Sequence, residues 1–175
     1  MHIATRDIIL LFATRTIRLF AYGFISVVLA LYLAATGLGA TGVGAVLTAT
    51  LAGDILVSLW VTMVADRFGR RNMLLLGAAL MILSGLVFLC TTNPVWITLA
   101  AIIGIVSPSG GEIGPFLSIE QAALSQLVPD NRRTRLFGWY NLAGSFATAA
   151  GALAGGWLAQ WLQAIGWGGL GAYRF

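Results

Sequence analysis

Five long apolar runs separated by short polar connections make up most of the chain, at residues 16–36, 41–65, 73–91, 95–125 and 136–162. A helix that crosses a bilayer needs about 20 mostly apolar residues at 1.5 Å of rise each, and each run meets that length. The connections between them are TGLGA, DRFGRRN, TNP and the longer QLVPDNRRTR, which leave no space for an extramembrane domain. The first run follows Arg15 and Arg18, as a secretory leader would. It is too long for the apolar part of such a leader and is followed by further runs, so it reads as a first membrane helix.

One stretch interrupts the pattern. Residues 107–116, SPSGGEIGPF, place two prolines, three glycines and a glutamate inside the fourth apolar run. If this stretch were a loop, neither flanking piece would be long enough to cross the membrane. The two arginine-rich connections would then fall on opposite sides. The stretch therefore belongs inside a span. A run of this length is about 46 Å if fully helical, so it must tilt, extend into the cytoplasm or unwind locally. Pro108 and Pro115 mark the expected helix break.

Composition agrees with the pattern. The 175 residues are 59% hydrophobic and 9% charged, with a mean hydropathy of +0.91. A soluble domain carries about 25% charged residues, so this chain cannot cover a water-facing surface. All ten basic residues are arginines, and the net charge is +4. They lie in clusters between apolar runs, which marks topology rather than a nucleic-acid surface. Arg67, Arg70 and Arg71 follow run two; Arg132, Arg133 and Arg135 follow run four; Arg6, Arg15 and Arg18 precede or open run one. The connections after runs one and three carry no charge. Arginine excess faces the cytoplasm, which places the N-terminus and both arginine-rich connections there. Trp96, Trp139, Trp157 and Trp161 fall near expected helix ends, where indole rings favour the membrane interface. Ordinary helix packing explains them equally well. The single Cys90 excludes an internal disulfide, and no Cys/His grouping has metal-ligand spacing. No cofactor, metal or nucleic-acid partner is expected, and neither a nucleophile–base pairing nor a phosphate loop points to an enzyme.

At ADRFGRRN (65–72), between runs two and three, the sequence resembles the major facilitator superfamily (MFS) of secondary transporters. The family signature at this place is Gly-x-x-x-Asp-Arg/Lys-x-Gly-Arg/Lys-Arg/Lys. Asp66, Arg67, Gly69, Arg70 and Arg71 match it, and Thr62 stands where the leading glycine would be. VPDNRRTRLFG (128–138) is similar to the family's loop between spans four and five, with Arg133 five residues before Gly138. The resemblance covers essentially the whole chain but only the first half of a typical member. Such members have twelve spans in two halves, each built from inverted three-helix repeats. It implies an all-α integral membrane protein, with residues 1–175 forming a partial N-terminal domain. This domain would hold five transmembrane helices of a six-helix half and so incomplete repeats. GAYRF, at 171–175, looks like the start of the sixth helix.

The signature also has a direct physical reading. Glycine permits the tight turn of a short connection, the arginines hold that turn at the headgroups, and Asp66 can pair with them or cap a helix. The resemblance implies that Asp66 and Arg70 form a conformational latch between the two halves. The alternative is that these charges only set topology. In run five, Ala143, Ala147, Gly151, Gly155 and Ala159 recur every four residues, a stripe of the kind that lets helix backbones approach closely. The family's antiporter signature on this span is matched at Gly151, Gly155 and Gly156, but Ala152 replaces its proline.

Three carboxylates fall within the runs: Asp54, Glu112 and Glu120. An ionised group at bilayer depth is costly, so it faces a cavity, pairs or is protonated. On a helix, Glu112 and Glu120 would sit about 12 Å apart and about 80° around the axis, close enough for one broad face. Three readings stay open: a proton or substrate site centred on Glu112, an ion pair of Glu120 with Arg15 or Arg18, and hydrogen-bonded packing groups beside simple kinks.

The resulting expectation is transport of a small solute by alternating access, coupled to an ion gradient, with protons as the ion. This chain would be an N-terminal fragment acting with a missing C-terminal half. The competing expectation is a truncated membrane protein that does not transport, as a gene remnant or an assembly partner. Either way the chain would be a multi-pass protein of the bilayer, with the bacterial plasma (inner) membrane and a cytoplasmic N-terminus as the expected setting.

Overall fold

The computed structural model describes residues 2–35, 37, 39–91, 93–103 and 115–165. Among these the chain is entirely helical: α1 (His2–Ala35), α2 (Ala40–Phe68), α3 (Arg70–Cys90), α4 (Pro94–Ile103), α5 (Pro115–Leu127) and α6 (Asp130–Ala164). The expected runs one, two, three and five each coincide with one helix. Run four is represented by α4 and α5, while Pro108, Glu112 and the rest of 104–114 lie outside the described residues, as does GAYRF. Pro115 is the first residue of α5, a position that needs no backbone N–H donor.

Several helices are longer than the apolar runs that announced them. α1 has 34 residues and α6 has 35, about 50 Å each. Apolar pattern marks only the part in hydrocarbon, whereas the helix continues into the headgroup region. Three described stretches are long and apolar enough to cross a membrane: Arg6–Ala35, Ala40–Val61 and Asp130–Ala164. Leu75–Val87 is a shorter apolar segment within α3.

The bundle buries polar and charged groups among apolar ones and is greasy outside. Arg15, Thr50, Asp54, Ser58, Ser84 and Glu120 are buried, whereas Leu56, Trp60, Met63, Ile82, Phe146, Leu153 and Trp157 are exposed. An apolar exterior suits a chain whose outer solvent is lipid. Helices in lipid gain little from burying apolar surface and associate through close packing and polar contacts instead.

α1 packs chiefly against α6, from the opposite end of the sequence, while α4 packs against α2 and α3. One apolar cluster joins Leu29, Tyr32 and Leu33 of α1 to Ile97 of α4, with Val43, Val46 and Leu47 of α2 beside it. A second joins Val61, Met73 and Ile119 near the α2–α3 turn. A third joins Leu19, Tyr22 and Ala147, with Met81 of α3 against it.

A single residue, Gly69, connects α2 to α3. Its backbone lies at φ 85°, ψ 136°, a region open in practice only to glycine. The Asn72 side chain closes the turn by donating to the Phe68 carbonyl at 3.0 Å. Gly69→Ala is expected to lower stability by about 1–3 kcal/mol. A drop in the melting temperature of the detergent-solubilised protein would report it. Nothing lies within 4 Å of a Cβ at this position, so the loss would come from backbone strain and not from a clash.

Candidate functional site: a buried ion-pair cluster joining three helices

α1, α5 and α6 meet around one carboxylate. Glu120 on α5 receives both terminal nitrogens of Arg18, Nη1 to Oε1 at 2.9 Å and Nη2 to Oε2 at 2.9 Å. The Tyr140 hydroxyl of α6 donates to the same Oε2 at 2.6 Å. Glu120 is 1% exposed and Tyr140 0%, so three donated hydrogen bonds replace the water that the carboxylate has lost. Two-pronged arginine–carboxylate geometry is the strong form of this contact because both groups are planar and match in spacing.

The second arginine is held beside it. Arg15 donates from Nη2 to Asn141 Oδ1 at 3.2 Å, and its guanidinium lies 4.2 Å from the centre of the Tyr140 ring. Arg18 lies 4.4 Å from the Phe116 ring centre. Phe12 meets Tyr140 edge-on at 4.9 Å. Aromatic faces are negative and stabilise a desolvated cation, so the rings help hold two arginines inside the bundle. Gly144 makes the space: a Cβ there would come within 3.0 Å of Arg15 Nε.

Of the three sequence readings, Glu120 makes the ion pair, with Arg18 as its partner. Asp54 is elsewhere, on α2, 1% exposed and receiving one bond from Ser58 Oγ at 3.3 Å. Of the signature residues, Gly69 forms the turn; the side chains of Asp66, Arg67, Arg70 and Arg71 lie outside the described residues, as does that of Pro115. Arg133 clasps the α5–α6 connection by donating to the carbonyls of Ser125 at 2.6 Å and Val128 at 3.2 Å, and it pairs with Asp130 at 2.6 Å. A cation over the last carbonyls of a helix satisfies acceptors that the helix leaves open.

Gly151 and Gly155 lie on α6 where it touches α1. A Cβ at Gly151 would overlap the Phe20 carbonyl, one at Gly155 would stand 2.8 Å from the Phe24 carbonyl, and one at Gly23 would overlap the Thr148 carbonyl. The buried line on α6 runs through Tyr140, Gly144, Ala147, Gly151, Gly155 and Ala159. The stripe read from sequence continued at a strict four-residue step to Ala143, which is only half-buried. A helix turns once in 3.6 residues, so the seam steps by three to Gly144 and then reaches Tyr140. Sequence reasoning missed Tyr140 for that reason; following the helical period instead would have pointed to it. Asn141 and Phe116 carried no comparable signal.

Inward-facing charges and an apolar exterior define a multi-pass integral membrane protein. Comparison with known proteins gives the family. Residues 11–172 match the family model of the Major Facilitator Superfamily, and the chain belongs to that superfamily. That superfamily is one of membrane transporters, whose members are not enzymes. The chain is 40% identical over 163 residues to the uncharacterized membrane protein YJR124C of Saccharomyces cerevisiae, covering 93% of this chain and 36% of that protein. It is 33% identical over 132 residues to the transcription regulatory protein OpdE of Pseudomonas aeruginosa, covering 75% of this chain and 30% of that protein. The chain thus spans about a third of the length of these relatives. No solved structure matches it significantly. Among the described residues no group of three or more His, Cys, Asp or Glu side chains could hold a metal ion.

Proposed function

We propose that this chain is the N-terminal part of a secondary transporter that carries a small solute by alternating access, driven by a proton gradient. The observation that carries the reading is the buried Arg18–Glu120–Tyr140 cluster inside a bundle of this family. Ionisable groups held within membrane helices are rare and usually mark a solute or ion pathway. The cluster ties α1, α5 and α6 into one body, which is what rigid-body rocking of one half against the other requires. Asp66 and Arg70, at the Gly69 turn, are the proposed latch to the second half. Five transmembrane helices, with run four supplied by α4, α5 and the residues between them, are the proposed membrane portion. They would be part of a six-helix half with its inverted repeats.

Transport itself is tested in the full-length protein reconstituted into liposomes. Glu112→Gln is expected to abolish solute uptake or remove its dependence on pH while membrane insertion is unchanged. Uptake that keeps its wild-type profile across pH 5–8 would take Glu112 out of the mechanism.

The proposed setting is the bacterial inner membrane with the N-terminus in the cytoplasm. Cys90 reports on this orientation because it is exposed and ends α3, at the opposite end from the Gly69 turn. A membrane-impermeant maleimide is expected to label it from outside intact cells. Labelling confined to inside-out vesicles would reverse the topology.

A further inference from the structure

Among the buried side-chain oxygens outside the ion-pair cluster, those of Asp54 (Oδ2) and Ser84 (Oγ) have no hydrogen-bond partner among the described residues. Their residues are 1% and 4% exposed. In lipid surroundings an unmatched polar atom is costly, because no water reaches it.

The two groups share a depth. α2 and α3 run antiparallel from the one-residue turn at Gly69, with Asp54 fifteen residues before that turn and Ser84 fifteen after it. At 1.5 Å per residue both stand about 22 Å from the turn, near the middle of the membrane. Both helices turn a polar or small face inward at this level. Thr50, Asp54 and Ser58 are buried at four-residue steps along α2. On α3, a Cβ at Gly77 would run into the Phe116 ring, Met81 packs against Leu19, Tyr22 and Ala147, and Ser84 continues that face two turns from Gly77.

The surroundings supply Asp54 with little to hold a negative charge. Its Oδ1 accepts one bond, from the Ser58 hydroxyl at 3.3 Å. Of the elements packed on α2, α1 turns Arg15, Arg18 and Tyr22 inward, and both arginines are engaged at the α5–α6 junction. α5 brings Glu120, already held by Arg18. α4 has no titratable residue, and α3 has none between Asn72 and Leu89. The contrast with Glu120 is chemical: that carboxylate receives three donors, one pair from a cation, and Asp54 receives, among the described residues, one weak donor and no cation.

We propose that Asp54 is a proton-binding site at mid-membrane, neutral in this conformation, in which its Oδ2 has neither a donor nor a cation among the described residues. The step is a simple protonation: one O–H bond forms on a carboxylate oxygen and the negative charge disappears. Opening of the interior to water would let the proton leave. The proposal adds a proton-binding group to the transport reading, separate from Glu112, and rests on that reading for its use. Proton occupancy is measured without transport, so the two fail separately.

Dicyclohexylcarbodiimide reacts with neutral carboxyl groups in apolar surroundings and serves as the probe, with the full chain in detergent and peptide mapping by mass spectrometry. Asp54 is expected to be modified and Glu120 spared. Modification should fall about tenfold for each pH unit above the midpoint of the group. Asp54→Asn has the shape of the neutral acid and should keep the fold while removing the modification. Absence of modification at acidic pH, equal modification of Glu120, or a chain that unfolds as Asp54→Asn would each overturn the proposal.

Discussion

Glu120→Ala is expected to destabilise the protein by about 3–5 kcal/mol, the cost of leaving a buried cation without its partner. Arg18 would lose two bonds of 2.9 Å and the Tyr140 hydroxyl its acceptor. Both would remain inside the bundle, where no water replaces what is lost. Tyr140→Phe removes only one donor and should cost about 1–3 kcal/mol. The decisive variant is the double substitution Arg18→Met with Glu120→Leu. Exchanging both partners for apolar groups of similar volume leaves no orphaned charge, so stability should recover most of the loss. Thermal unfolding of the wild type, Arg18→Met, Glu120→Leu and the double variant in detergent forms a double-mutant cycle. Additive losses in that cycle would mean that the pair does not lock α1 to α5.

The second large effect belongs to the α1–α6 seam. Gly151→Leu is expected to separate the two helices or prevent their assembly, and Gly151→Ala to cost about 1–3 kcal/mol, the usual range for overpacking a tight contact. The atoms in the way are backbone: a Cβ would overlap the Phe20 carbonyl oxygen and come within 3.0 Å of the Phe24 amide nitrogen. A side chain can rotate aside, whereas a helix backbone moves only as a unit. Gly156→Ala is the control, since a Cβ there meets only Val27 Cγ1 at 3.8 Å. Each alanine variant adds one methyl group to the same helix, at a different position, so unequal unfolding temperatures would isolate the contact. Equal temperatures would show that the seam has slack.

The relation between pattern and fold explains which parts of this protein could be read in advance. Apolar runs located four of the helices directly, because the hydrocarbon core demands an unbroken apolar length and a backbone bonded within itself. Gly69 was legible for a similar reason: a one-residue turn at positive φ admits essentially one residue type. The stripe on run five announced a close helix contact, since only small residues allow it. Its partner was not legible. Nothing in Phe20 or Phe24 marks their backbone carbonyls as the surface that Gly151 and Gly155 meet, and α1 lies more than a hundred residues away from Gly151.

The site divides along the same line. Arginines and carboxylates in apolar runs declare that charge must be kept from lipid, because an unpaired ion there is costly whichever segment carries it. Which charge meets which depends entirely on those neighbours. Arg15 and Arg18 stood as equal candidates for Glu120 in the sequence; the rotation of α1 against α5 assigns Arg18 to the carboxylate and turns Arg15 to Asn141 and the Tyr140 ring. Membrane residence, helix positions and the presence of buried charge thus follow from local chemistry that each segment carries alone. The pairing of those charges, and the contrast between a saturated Glu120 and a nearly unsupported Asp54, arise only when the helices pack, because they are properties of distances between segments.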